Sequence, residues 1–136
     1  MSVKINAKYL GQKRVEIMHG PSGASLITDA PVDNNGKGES FSPTDLVASA
    51  LGACAMTIMG IVAEKNEIDL SGMNMTVEKS MSASPRRIAS LPVSINMPSG
   101  LDSETRKKLE AAAKACPVHK SLASEIEAPL KFNYPD

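Results

Sequence analysis

The length, composition and charge of this chain are those of one ordinary globular domain, which we place at residues 1–136. Of its 136 residues, 42% are hydrophobic and 22% are charged, proportions that do not indicate disorder. Fifteen Lys and Arg residues balance fifteen Asp and Glu residues, and only 3% of residues are aromatic. We therefore expect no binding to nucleic acid and no attraction to an anionic membrane.

The N-terminal segment MSVKINAKYLGQKR alternates polar and apolar residues and lacks the continuous apolar core of a signal peptide. We therefore expect a cytoplasmic protein. Structural disulfides are rare in that compartment. The two cysteines, Cys54 and Cys116, are then either inert packing residues or redox groups.

The first third of the chain has the pattern of short β-strands. Apolar residues recur at alternate positions in SVKINAKY and in RVEIMH, and the turn GPSG precedes ASLITD. This pattern predicts three strands joined by Gly-rich turns. Residues 29–40, which carry Pro, Gly and two adjacent Asn residues, predict a loop long enough to serve as a flap or an interface arm.

The segment SPTDLVASALGAC has the start signals of a helix. Ser42 is a favourable N-cap, Pro43 suits the first helical position, and Asp45 follows three residues after the cap. The pattern predicts a helix from about Pro43 to about Lys65.

This first helix is apolar on every side, because residues 46–63 carry no charge. The uncharged stretch reaches the lower length limit of a membrane span, but it is rich in Ala and Gly and has no basic cluster beside it. We expect a helix buried all round in a globular core rather than a membrane helix. Because a chain of this size hardly suffices to surround it, we expect a second subunit to supply part of the cover.

The second half of the chain alternates predicted strands and helices. DLSGMNMTVEKS (residues 69–80) and IASLPVSINM (residues 88–97) predict strands joined by the polar turn MSASPRR. A helix capped by Asp102 or Ser103 follows. The final segment IEAPLKFNY predicts a strand whose Pro129 indicates the edge of a sheet.

Cys116 precedes a short predicted helix that begins at Pro117, so it occupies the N-cap. The free amide N–H groups and the dipole at that position favour a thiolate, and His119 in the first turn could add positive charge. The local pattern therefore predicts that Cys116 ionises easily.

Cys54 lies near the middle of the apolar helix, where a thiolate is disfavoured unless a cation is supplied from elsewhere. Asp45 is nine residues earlier, about 13 Å along the axis of a straight helix and on its opposite side. It can act on Cys54 only through an arginine or the other subunit. Neither His19 nor His119 joins the cysteines in a zinc-type spacing, so we expect no metal.

The run SFSPTDLVASALGACAMT resembles the signature helix of the OsmC/Ohr superfamily, and CPVHKSL resembles the second-cysteine motif of that superfamily. Other segments are similar to its strands in the same order: YLGQKRVEI, LITDAP, VEKS and PRRIASLPVSINM. The resemblance implies an α+β, OsmC-like fold in which two chains intertwine into a homodimer, with central apolar helices and outer antiparallel sheets.

The resemblance also implies a cysteine-based peroxidase that reduces organic hydroperoxides or hydrogen peroxide in oxidative stress defence, without metal or bound cofactor. An external dithiol, lipoyl-type or thioredoxin-like, would regenerate it. By this resemblance Cys54 is the peroxidatic thiol, Cys116 the resolving thiol, and Arg14 the arginine that stabilises the thiolate. The alternative is a non-catalytic dimer that binds an apolar small molecule between its subunits.

One position departs from the family pattern. Peroxidase members commonly carry a glutamate ten residues before the first cysteine, and this chain has Thr44 there. Asp45, the next residue, would take over the orienting of Arg14, although a shift of one residue turns the side chain by about 100° around the helix.

Overall fold

In the computed structural model, which describes all residues 1–136, the chain clusters in two compact units, residues 1–47 and residues 48–136. The first unit ends inside the first long helix, which continues into the second unit. The helices and strands are, in chain order: β1 (Ile5–Gly11), β2 (Arg14–His19), β3 (Ser25–Thr28), α1 (Pro43–Lys65), β4 (Asn74–Val77), β5 (Ser80–Ala83), β6 (Arg86–Ser90), β7 (Val93–Asn96), α2 (Ser103–Lys114), α3 (Pro117–Lys120) and β8 (Leu130–Asn133).

The first unit contains the three predicted strands, which pair in the order β1-β2-β3 as an antiparallel sheet. The pairing register places Ile5, Tyr9, Val15, Ile17 and Leu26 on one face, because alternate residues of a strand point to the same side. Ile5 is 62% exposed, Tyr9 65% and Leu26 42%. This apolar face is uncovered in a single chain, as expected if a second subunit packs on it.

The loop predicted at residues 29–40 follows β3 and contains only a short 3-10 turn, at Val32–Asn34. It leads into α1, which has the predicted bounds. The Ser42 hydroxyl accepts a hydrogen bond from the Asp45 amide at 3.1 Å, and the Asp45 carboxylate accepts one from the Ser42 amide at 2.9 Å. This reciprocal pair is the capping box that the sequence predicts.

In a single chain, helix α1 is buried along one face only, and the cover expected from a second subunit stays a prediction. The buried residues share that face: Ala48, Leu51, Gly52, Ala55, Met59 and Ala63. Gly52 allows close approach of β4, since a Cβ atom at this position would lie 2.5 Å from Met75 Cε. On other sides of the helix, Ala50, Ala53, Thr57 and Ile61 are exposed.

By length and composition, α1 could also cross a membrane, and it is the only helix in the chain that could. Core helices of soluble proteins can have the same length and composition. The packing of its buried face against Met75 of β4 is typical of a core helix.

The second unit differs from the sequence prediction in its strands. Instead of two strands joined by a polar turn, β5 and β6 form a separate hairpin, and β4 pairs with β7. Pro92 has no N–H to donate, which favours an interruption of the predicted strand between β6 and β7. Strand β8 pairs with β7 in parallel and lies at the edge of the sheet β4-β7-β8, as Pro129 indicates.

The core of the second unit contains Leu91, Val93 and Ile95 around β7, together with Leu109 and Ala113 of α2, all at most 1% exposed. Asp102 caps α2 as predicted, because its carboxylate accepts a hydrogen bond from the Thr105 amide at 2.8 Å.

Leu109→Ala should strongly destabilise this core. The leucine side chain is 0% exposed, so its truncation leaves a cavity and should lower the free energy of unfolding by about 2–5 kcal/mol. Urea denaturation measures the change. The exposed Lys107 on the same helix supplies the control, since Lys107→Ala should change stability by no more than about 0.5 kcal/mol. An equal loss of unfolding free energy in both variants would contradict the burial of Leu109 in this core.

Candidate functional site

The fold of the second unit brings the two cysteines together. Cys54 lies near the middle of α1 and is half-buried, whereas Cys116 caps the N-terminus of α3 and is 1% exposed. The two thiols lie within hydrogen-bonding reach of each other. Neither cysteine forms a disulfide in the structure.

The backbone N–H of His119 donates to Cys116 Sγ at 3.4 Å, which confirms the predicted N-cap position of the cysteine. The imidazole of His119 is engaged elsewhere: its Nε2 lies 3.3 Å from the carbonyl oxygen of Ala128 and donates to it. His119 therefore acts on the Cys116 thiol through its backbone N–H rather than through its imidazole ring.

The prediction that Cys116 ionises easily is wrong. Burial raises the pKa of the Cys116 thiol above its ordinary value, and the hydrogen bond with Cys54 raises it further. The N–H groups of His119 and Val118 act in the opposite direction but do not offset the loss of water. Cys116 is therefore a neutral thiol near pH 7, able to donate its S–H to Cys54.

In the first unit, Arg14 is paired with two carboxylates that sequence reasoning missed. Its guanidinium lies 3.6 Å from Asp29 Oδ2 and forms an ion pair with Glu39. Asp29 is 2% exposed and accepts a hydrogen bond from the Glu39 amide at 3.1 Å. Residues 29–40 thus fold back onto β2. Acidic residues at both ends of a Gly-rich loop were the only signal in the sequence.

The surroundings of Asp29 favour its charged form. The Glu39 N–H is the largest influence holding the pKa of Asp29 below its ordinary value, and the positive charge of Arg14 adds to it against the opposing effect of burial. The carboxylate is therefore ionised at neutral pH and able to hold the guanidinium in place.

Arg14 also faces an open cavity of about 470 Å³ within the first unit. Leu26 and Ile27 of β3 supply apolar wall, and Asp29 and Glu39 supply the acidic part. The cavity therefore combines apolar surface with one cation, Arg14, which is already paired with carboxylates of the same wall.

Asp45 serves as the capping residue of α1, and the carboxylates that the structure places on Arg14 are those of Asp29 and Glu39. The orienting of Arg14 by Asp45 stays a prediction. Thr44, in place of the glutamate common in peroxidase members, has its hydroxyl 3.2 Å from that of Ser42. The chain holds no group of three or more His, Cys, Asp or Glu side chains that could bind a metal ion.

Asp29→Asn should destabilise the protein at neutral pH and less so in acid. Because the pKa of Asp29 is lowered in the folded state, its stabilisation is present above the ordinary value of 3.8 and is lost as pH falls through the lower folded value. Urea unfolding at pH 7 and near pH 3 measures the difference from wild type. The control is Glu16→Gln, which removes another carboxylate from the same cavity wall. At pH 7 it should lower the free energy of unfolding by less than Asp29→Asn does. If Asp29→Asn lost the same free energy of unfolding in acid as at pH 7, the pairing of Asp29 with Arg14 would be contradicted.

Comparison with known proteins defines the class of this protein. The chain matches the OsmC-like protein family over residues 36–131 and belongs to that family. The α+β fold, with its long apolar helix and separate sheets, agrees with this membership and confirms the α+β, OsmC-like fold predicted from the sequence.

Among solved structures, the chain is similar to a protein of Psychrobacter arcticus 273-4 that is named provisionally as an osmotic stress induced and detoxification response protein. The two are 41% identical, with a TM-score of 0.91, over 98% of this chain and 96% of the other. The organic hydroperoxide resistance protein OsmC of Legionella pneumophila is 23% identical, with a TM-score of 0.73, over 98% and 97%.

The organic hydroperoxide resistance protein OhrB of Bacillus subtilis is 20% identical to this chain, with a TM-score of 0.65, over 98% of each chain. No curated protein matches the sequence.

Proposed function

We propose that this protein is a cysteine-based hydroperoxide reductase in which Cys54 reacts with the peroxide and Cys116 resolves the product. The observation that carries this proposal is the contact between a half-buried and a fully buried free thiol, Cys54 and Cys116. Membership of the OsmC-like family supports it, as do the names of the Legionella and Bacillus proteins of the same fold.

In the first step, the Cys54 thiolate attacks one oxygen of the O–O bond of the hydroperoxide. The S–O bond forms as the O–O bond breaks, and the alkoxide that leaves takes up a proton. Cys54 becomes a sulfenic acid and the hydroperoxide becomes an alcohol. The half-buried position of Cys54 leaves this sulfur open to a small substrate.

In the second step, the sulfur of Cys116 displaces hydroxide from the Cys54 sulfenic acid. A disulfide forms, and the proton that Cys116 retains through its raised pKa leaves with the hydroxide as water. Because the two thiols lie near each other, they are placed to form this disulfide. An external dithiol, lipoyl-type or thioredoxin-like, then supplies the electrons that restore both thiols.

In this proposal Arg14 stabilises the Cys54 thiolate and Asp45 helps to orient Arg14. The protein acts as a homodimer in the cytoplasm, in defence against oxidative stress. The uncovered apolar face of the β1-β2-β3 sheet and the exposed Ala53 and Ile61 of α1 support a dimer, because a second copy would remove them from water.

Arg14→Gln should slow the oxidation of Cys54 by about ten- to a hundredfold near pH 7, because loss of a guanidinium lowers the thiolate fraction by that order. Stopped-flow oxidation by cumene hydroperoxide measures the rate. The control is Lys8→Gln, which removes a cation from the neighbouring strand and should leave the rate unchanged. Equal rates in wild type and Arg14→Gln would remove Arg14 from the mechanism.

The proposal is tested by the products formed with one equivalent of cumene hydroperoxide. Intact mass should show that the wild type loses two hydrogen atoms, that Cys116→Ser gains one oxygen atom, and that Cys54→Ser is unchanged. The alternative, a non-catalytic dimer that binds an apolar small molecule, predicts thiols that react no faster than free cysteine. Unmodified wild type after this treatment would favour the alternative.

A further inference from the structure

The two sulfurs of the candidate site differ in their access to solvent. Cys116 is 1% exposed in a single chain, whereas Cys54 is half-buried. Association with other subunits can only reduce exposure, so Cys116 is inaccessible in any assembly of this folded chain. A reagent that arrives from solution can therefore reach this pair only through Cys54.

A disulfide is reduced when a thiolate attacks one of its two sulfurs, and the other sulfur leaves. We propose that the external dithiol attacks Cys54 Sγ, so that the enzyme passes through a mixed disulfide on Cys54 and releases Cys116 first. This inference rests on the proposed function. It assigns to Cys54 both halves of the cycle, the attack on peroxide and the contact with the reductant.

Access, rather than thiol pKa, selects Cys116 as the leaving sulfur, because burial keeps its pKa above the ordinary value and only its backbone partners act in the opposite direction. The amide of His119 points at its Sγ from 3.4 Å, at the N-terminus of α3. This N–H and that of Val118 lower the pKa of the Cys116 thiol against the effect of burial. These N–H groups would stabilise, by hydrogen bonding, the negative charge that appears on Cys116 when the S–S bond breaks.

The exchange is balanced as follows. One thiolate of the dithiol forms an S–S bond to Cys54, and the Cys54–Cys116 bond breaks with its electron pair on Cys116, which then takes up a proton. The second thiol of the reductant, as its thiolate, next attacks the reductant's own sulfur in the mixed disulfide. It releases Cys54 as a thiolate and leaves the reductant as a disulfide.

The point of attack can be tested without any peroxide. Wild type is oxidised to the intramolecular disulfide with diamide and then treated briefly with glutathione, a monothiol that cannot complete the second exchange alone. The mixture is quenched with acid and digested, and mass spectrometry locates the glutathione. We expect glutathione on Cys54 in at least about tenfold excess over Cys116, since access decides which sulfur is attacked.

A second measurement uses the reduced single-cysteine variants and the disulfide reagent 5,5′-dithiobis(2-nitrobenzoate). Cys54 in Cys116→Ser should react at least about tenfold faster than Cys116 in Cys54→Ser, and denaturation in urea should abolish the difference. This comparison checks that access in the folded chain, rather than the identity of the thiol, sets the preference.

The outcomes separate this inference from the proposed function. Glutathione found mainly on Cys116, or no disulfide with diamide, would overturn the inference. Glutathione on Cys54 in a protein that does not react with cumene hydroperoxide would uphold the inference about access and overturn the peroxidase proposal.

Discussion

Cys54→Ser should abolish catalytic reduction of hydroperoxides, with turnover lower by at least about a thousandfold, because a serine hydroxyl does not ionise near pH 7 and cannot replace a thiolate nucleophile. The chain has no second thiol that could take over, since Cys116 is buried and its pKa is raised. The measurement is consumption of cumene hydroperoxide with excess dihydrolipoamide as reductant.

Two controls accompany this variant. The exposed Thr57 lies on the same helix, and its hydroxyl donates a hydrogen bond to the carbonyl of Ala53. Because serine keeps this hydroxyl, Thr57→Ser should retain most of the activity. Cys54→Ser itself should unfold in urea with a midpoint close to that of wild type. Retention of a tenth or more of the wild-type turnover by Cys54→Ser would exclude Cys54 as the peroxidatic thiol.

Cys116→Ser should cause the second largest loss of turnover. It should act on the resolution of the Cys54 sulfenic acid rather than on the reaction with peroxide. Its first oxidation by one equivalent of peroxide should be within about threefold of the wild-type rate, because Cys116 does not touch the substrate in the first step. Steady-state turnover should then fall by about a hundredfold, and with excess peroxide Cys54 should advance from sulfenic to sulfinic acid. Stopped-flow kinetics and trapping with dimedone follow the two stages.

The control for Cys116→Ser is Ala115→Ser, which places the same side chain on the exposed neighbouring residue and should turn over like wild type. If Cys116→Ser sustained wild-type turnover without accumulating a sulfenic acid, Cys116 would not be the resolving thiol. The first oxidation step would then be the only part of the scheme left to test.

Signals from neighbouring residues are sufficient to predict where the helices begin. Ser42, Pro43 and Asp45 lie within four residues of one another, and the capping box they form depends on neighbours in the chain. The same holds for Cys116, whose position at the start of α3 follows from Pro117 beside it. The resemblance to the OsmC/Ohr superfamily then supplied the fold.

The properties that depend on packing could not be predicted in this way. The local position of Cys116 predicts that it ionises easily, but the folded chain leaves it only 1% exposed, and this burial raises its pKa. The pairing of Arg14 with Asp29 and Glu39 joins residues far apart in sequence. The hairpin of β5 and β6 was missed because its strands are short and polar.

The central claim is that Cys54 is an activated thiol, and its rate of reaction with a hydroperoxide tests that claim most directly. In Cys116→Ser, stopped-flow oxidation by cumene hydroperoxide at pH 7 isolates Cys54. We expect a second-order rate constant at least about a hundredfold above that of free cysteine under the same conditions, since a stabilised thiolate is the reactive species. A rate constant equal to that of free cysteine would contradict the account.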